Sequence, residues 1–111
     1  MKFNLIAGSI LVVLIAGCTP GTQGYLRNME SYGNLRVQPS TVATHDYDVY
    51  VRNVLDIGYD PSDKATRDRT ALSMLQAQCP TGRVVGETTI NTGEWMGGRQ
   101  SLTYIVQVKC S

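Results

Sequence analysis

The sequence predicts a small α+β domain in the order strand–helix–strand–strand, with one helix packed on a small antiparallel sheet. Three observations predict it. Tyr47, Val49 and Val51 alternate with Asp48, Tyr50 and Arg52, the period of two that marks a half-buried strand. Asp60-Pro61 then opens a segment of helical spacing that Pro80 and Gly82 close. Finally, the β-branched run Val84–Ile90 precedes a second alternating run, in which Leu102, Tyr104, Val106, Val108 and Cys110 interleave with Thr103, Ile105, Gln107 and Lys109.

The elements follow in order. Thr19 to Gly24 is polar and rich in proline and glycine, the composition of a tether. Tyr25 to Asn34 is mixed and is assigned to partly ordered chain. Leu35-Arg36-Val37 reads as a short strand ahead of Pro39. The expected organisation is a leader over 1–17, a tether over 18–45 that is partly ordered at most, and a folded domain over 46–111.

The strand at 47–52 loses its phase near Asn53, where a bulge or bend is expected before Val54, Leu55 and Ile57. Asp60 is the expected N-cap, Pro61 suits the first helical position, and Asp63 puts a carboxylate in the first turn. Ala65, Leu72 and Cys79 recur at heptad spacing with Leu75 between them, an inward stripe over about 61–78. Arg67-Asp68-Arg69 is expected on the solvated side.

The amino terminus carries the most specific motif. Lys2 is followed by the uncharged apolar stretch Leu5–Ala16, which ends in Ile15-Ala16-Gly17-Cys18. The stretch is shorter than the roughly 20 residues a membrane-spanning helix needs and fits the core of a signal peptide. Charge, apolar run, small residues and cysteine in this order resemble the lipobox of bacterial lipoproteins. That resemblance implies cleavage before Cys18 and attachment of diacylglycerol and N-acyl (palmitate-type) chains there. Two chains suffice for stable anchoring. Thr19, in place of the aspartate that marks inner-membrane retention, implies a periplasm-facing position at the outer membrane. The inner membrane and the cell surface are the alternatives.

The lipoprotein resemblance organises the cysteines. Of three, Cys18 is assigned to lipid, which leaves Cys79 and Cys110. An even remainder in an oxidising compartment reads as one disulfide, enclosing about thirty residues and contributing roughly 3–4 kcal/mol. Two unpaired thiols, or a metal site, are the other readings. The second lacks a C-x-x-C pair, and the only histidine, His45, is remote in sequence. In the order helix, cysteine, hairpin, terminal cysteine, the domain also resembles the outer-membrane stress-sensing lipoproteins of the Rcs type. Those have two disulfides, this chain can form one, and no functional residue of theirs carries over.

Charge narrows the partner classes. The chain has ten basic and nine acidic residues, and loss of Lys2 balances them. A neutral domain offers no electrostatic footprint for nucleic acid or anionic lipid. No G-x-S-x-G, H-E-x-x-H or P-loop pattern occurs. His45 reads as a solvated residue near a strand start. No catalytic residue, metal site, cofactor or small-molecule substrate is expected.

Asn91–Arg99 joins the last two strands and holds Trp95, the single tryptophan, next to Met96. Trp95 and Met96 either expose apolar surface for a partner or fold back to complete a small core, and the second reading is favoured for Trp95. The expected function is a membrane-anchored, non-enzymatic interaction module for an envelope protein. A structural component of a secretion or conjugation assembly is the alternative, and an enzyme is the remote one.

Overall fold

The computed structural model describes residues 23–111; Cys18, the leader over 1–17 and most of the expected tether lie outside the described residues. The elements are α1 (Gln23–Ser31), β1 (Leu35–Pro39), β2 (Tyr47–Arg52), α2 (Lys64–Met74), β3 (Arg83–Glu94) and β4 (Gln100–Lys109). The sheet is antiparallel throughout, in the order β1-β2-β4-β3. The predicted α+β class, the antiparallel sheet and the Cys79–Cys110 disulfide are all present. A second helix is added at the amino-terminal end, and the short strand read at Leu35–Val37 joins the sheet as a fourth strand that runs to Pro39.

That addition corrects the expected boundary at residue 46, because residues 23–45 belong to the folded unit. Tyr25, Leu26 and Met29 face one side of α1 and are buried. Gly33, at φ 78°, then turns the chain so that the Asn34 amide donates to the Met29 carbonyl at 2.9 Å. The reversal delivers Leu35 opposite Val51 and starts β1. Three apolar residues in a polar stretch were too few to show a period in the sequence. Their burial comes from the sheet they meet, not from local propensity.

The core lies on one sheet face. Leu35, Val49, Val51, Val106 and Val108 are buried against Leu26 and Met29 of α1 and against Ala71, Leu75 and Cys79. The other face, by the period of two, carries Arg36, Tyr50, Arg52, Thr103, Ile105 and Gln107. Among the described residues no helix covers it, and the Arg36 guanidinium lies 4.1 Å from the centre of the Tyr50 ring.

α2 departs from expectation in two ways. Its N-cap is Asp63, not Asp60: the Asp63 carboxylate accepts the Thr66 amide at 3.0 Å and the Thr66 hydroxyl at 2.9 Å. Asp60 instead accepts the Ser62 amide in the preceding turn, with Pro61 buried outside the helix. The inward side also differs. Ala65 is exposed, while Arg67, Thr70 and Ala71 are buried and Leu72 is half-buried against the core. The buried side is therefore largely polar, which an apolar-spacing argument cannot find.

Beyond α2, Cys79 and Cys110 are bridged with Cα atoms 5.2 Å apart. This ties the end of the helical segment to the far end of β4. Gly82 permits the approach, since a Cβ there would fall 2.8 Å from Cys79 Sγ and 3.1 Å from Val108. β3 runs to Glu94, past the expected end at Ile90, with register shifts at Val84/Gly86 and Asn91/Gly93.

Two outcomes follow from these attachments. Replacing both Cys79 and Cys110 by serine should lower unfolding stability by about 3–4 kcal/mol, the loop-entropy value for a bridge of this span, as read by urea titration. The Thr66 hydroxyl and amide hold the Asp63 carboxyl below its usual range. A depressed carboxylate stabilises the fold above its unfolded-state pKa, and that contribution is lost as pH falls through the folded-state value. Asp63→Ala should therefore melt below the parent at neutral pH, with the gap closing in acid; a gap that is constant from neutral to strongly acid pH counts against the cap.

Candidate functional site

The β3–β4 connection is a tight turn at Trp95–Arg99. The Trp95 amide donates to the Arg99 carbonyl at 2.7 Å, and the Gly98 amide donates to the Trp95 carbonyl at 3.1 Å. Gly97 and Gly98 both have positive φ, 95° and 86°, which a side chain would resist.

Trp95 folds back onto the sheet. Its indole Nε1 donates to Asn53 Oδ1 at 3.0 Å, and the Arg52 guanidinium lies 4.3 Å from the centre of its ring. Asn53 is the organiser. Its Oδ1 also accepts the Leu102 amide at 2.9 Å, its Nδ2 donates to the Gln100 carbonyl at 2.9 Å, and its own carbonyl accepts from Arg99. Arg52 Nε donates to Ser101 Oγ, which in turn lies 2.9 Å from Thr92 Oγ1. The bend expected near Asn53 is thus the point where β2 hands its backbone to the hairpin turn.

Trp95 and Met96, adjacent in sequence, have opposite fates. Trp95 is half-buried on Asn53 and Arg52, whereas Met96 is fully exposed. The segment leaving Asn53 adds Leu55, about half exposed, and Ile57, 91% exposed at the tip of a two-residue turn closed by Asp56 and Tyr59. Met96 projects from the β3–β4 turn, whereas the segment carrying Leu55 and Ile57 is tied to α1, where the Tyr25 hydroxyl donates to Asp56 Oδ2 at 2.9 Å.

No protein-family model matches the chain, and no curated protein or solved structure matches it.

Two further clusters contain chemistry-bearing side chains. His45 is buried, which corrects its reading as a solvated residue. Its Nε2 lies 2.7 Å from Asp48 Oδ1 and 3.1 Å from Ser40 Oγ, and its Nδ1 lies 2.9 Å from Thr44 Oγ1. Serine, histidine and aspartate meet here, but both partners share one ring nitrogen. Ser40 therefore cannot act with Asp48 across the ring, and the hydroxyl on the opposite nitrogen is that of the adjacent Thr44. Ser40 Oγ also accepts the Val42 amide at 3.0 Å, so the cluster closes the β1–β2 loop.

Arg67 is also buried, a second correction, since it was placed on the solvated side of its helix. Its Nε and Nη2 donate to the two oxygens of Glu87 at 2.8 and 2.6 Å, and its Nη1 donates to the carbonyls of Pro61 and Ser62. The guanidinium sits 3.9 Å from the centre of the Tyr104 ring. Four of its five N–H groups bond to the protein and the side chain is buried, so this arginine is a structural tie.

A groove of about 700 Å³ lies between α1 and the end of α2, with Val37 of β1 in its lining. Its polar groups are Arg27, Glu30, Ser73 and the amides of Gln23, Gln76 and Gln78. Gln23 Nε2 donates to the Ser73 carbonyl across it at 2.7 Å. Among the described residues, none in the lining pairs a nucleophile with a general base.

Asn53 is the residue the sequence reading passed over as a bend. The available signal was its place, an amide side chain where a strand loses phase opposite the start of the next hairpin arm. Asn53→Ala leaves the Trp95 indole and the Leu102 amide without their acceptor and is expected to cost about 2 kcal/mol. Because Trp95 is the single tryptophan, its fluorescence should shift to the red in the folded variant. An unshifted spectrum rejects Asn53 as the seat of the indole.

Proposed function

We propose that this protein is a bacterial envelope lipoprotein, anchored through lipid on Cys18 at the outer membrane and facing the periplasm, whose domain is a non-enzymatic interaction module. The observation that carries the contact surface is the exposure of Met96 on a turn whose neighbour Trp95 is locked down. A mobile loop would lose entropy on binding, whereas a turn fixed by Asn53 presents its apolar tip already ordered.

The placement of the chain supports this reading. Gln23 bonds to Ser73 near the carboxyl-terminal end of α2, the end that Cys79 ties to Cys110. Met96 sits at the opposite end of β4. A tether leading from Cys18 to Gln23 therefore reaches the domain away from the apolar tip. In that arrangement Met96 faces outward to a protein partner and is not buried in the anchoring bilayer.

The experiment has two arms on the full chain expressed in a Gram-negative host. Mass spectrometry of membrane-extracted protein should find lipid on Cys18, and Cys18→Ala should leave the membrane fraction. Unmodified Cys18 in membranes overturns the anchor. A photo-crosslinking side chain at position 96 should give a discrete adduct in intact cells. The same group at Ala43, exposed in the β1–β2 loop, should not. Equal adducts at both positions, or none at 96, overturn the Met96 surface.

A further inference from the structure

We propose that β3 is the docking edge for a second copy of this chain, with the two β3 strands pairing antiparallel about a two-fold axis at Thr89. The sheet has two edges, and they differ. β1 spans five residues, ends in Pro39 and carries Arg36. β3 spans twelve, holds no proline, and has no ionisable side chain between Glu87 and Glu94. Residues 88–94 are all exposed. Long, uncharged, β-branched edges are what proteins normally shorten, charge or cover.

The backbone shows which groups are free. The Leu102 and Val108 carbonyls accept from Asn53 and Asp46, on the β2 side of β4. Even-numbered residues of β4 therefore direct their amides and carbonyls to β2, and odd-numbered ones to β3. Glu87, Thr89 and Asn91 stand opposite the even-numbered Val106, Tyr104 and Leu102. In an antiparallel ladder, directly opposed residues either exchange both bonds or both point away. The N–H and C=O groups of Glu87, Thr89 and Asn91 thus face the open side of the sheet. The register shifts at Val84/Gly86 and Asn91/Gly93 bracket these three residues, leaving a regular stretch between them.

This set is complementary to itself. With the axis at Thr89, Thr89 meets its own copy, and Glu87 meets Asn91 on each side. All three outward-bonding residues then find outward-bonding partners, about six hydrogen bonds in all at two per pair. A shift of two residues either way aligns only two such pairs. The Thr89 register also sets each Glu87 against an amide, whereas an axis at Glu87 would oppose two carboxylates. Paired residues share a face, so the helices of both copies lie on the same side of one continuous sheet. A foreign peptide would need its own matching register; the second copy has it built in.

The test uses the full chain in mild detergent, weighed by native mass spectrometry across a concentration series. The parent should show a species of twice the chain mass. Thr89→Pro deletes an amide that β4 does not use, so the monomer fold should persist by circular dichroism while dimer affinity falls at least about tenfold. Thr89→Lys, which keeps the backbone and puts two like charges at the axis, should do the same and guards against misfolding of the proline variant. In Thr89→Cys, oxidative crosslinking should give a dimer band well above that of the parent, which retains Cys18, and above that of Ile90→Cys. A parent that stays at single-chain mass throughout overturns the proposal, as does a dimer that survives both Thr89→Pro and Thr89→Lys or a crosslink favouring position 90.

Discussion

The Arg67 guanidinium joins four parts of the chain at one point. It leaves α2, takes the carbonyls of Pro61 and Ser62, forks onto Glu87 of β3 and stacks on Tyr104 of β4. A fork onto a carboxylate fixes distance and plane together, which an aliphatic side chain cannot do. The rotation of α2 about its own axis follows. Arg67 must point at Glu87, which turns Thr70 and Ala71 inward and leaves Ala65 outside. Burying such a pair costs desolvation on both partners, so its contribution lies in selecting one helix orientation over others and less in net stability.

A second polar tie operates at the end of the sheet. Asn53 joins β2, the turn and β4 through its side-chain amide and its own carbonyl. Between the two ties the core is plain: valines of the central strands pack against Leu26, Leu75 and the disulfide. Apolar packing of this kind is tolerant of small shifts, while fully bonded polar groups are not. The contact surface argued for Met96 depends on the intolerant kind. Trp95 cannot swing outward without stranding its indole and breaking the stack on Arg52.

How much of this was legible in the sequence follows the same division. Period-two alternation located β2 and β4, because one face of each is apolar and the other is not. The pairing of Cys79 with Cys110 was legible through their positions at a helix end and in phase on a strand. α1 was missed because its apolar residues are few, and the sheet supplies what its length does not. The apolar stripe of α2 was misplaced because its buried side is made by an arginine and a threonine. His45 was missed because its partners Ser40, Thr44 and Asp48 read as ordinary loop residues until the β1–β2 turn gathers them. Trp95 and Met96 were singled out together, and only the Asn53 bonds separate the anchored residue from the exposed one.

The two sheet edges are unequal because β4 takes the inner place beside β2 and leaves the longer β3 outermost. Cys110 follows β4, and its bond to Cys79 holds that inner strand to the end of the helical segment. β3 is left outermost, held on one side by β4 and to the helix layer by Glu87. From Glu87 inward the strand is anchored; from Thr88 onward its side chains meet solvent. The amino-terminal edge had a different history. α1 packs beside β1, and Pro39 ends that strand early. One edge is therefore short and the other is left extended. An isologous pairing at β3 leaves only the short β1 edge, which ends in Pro39, at each side of the joined sheet, and so joins two copies without opening into a fibre.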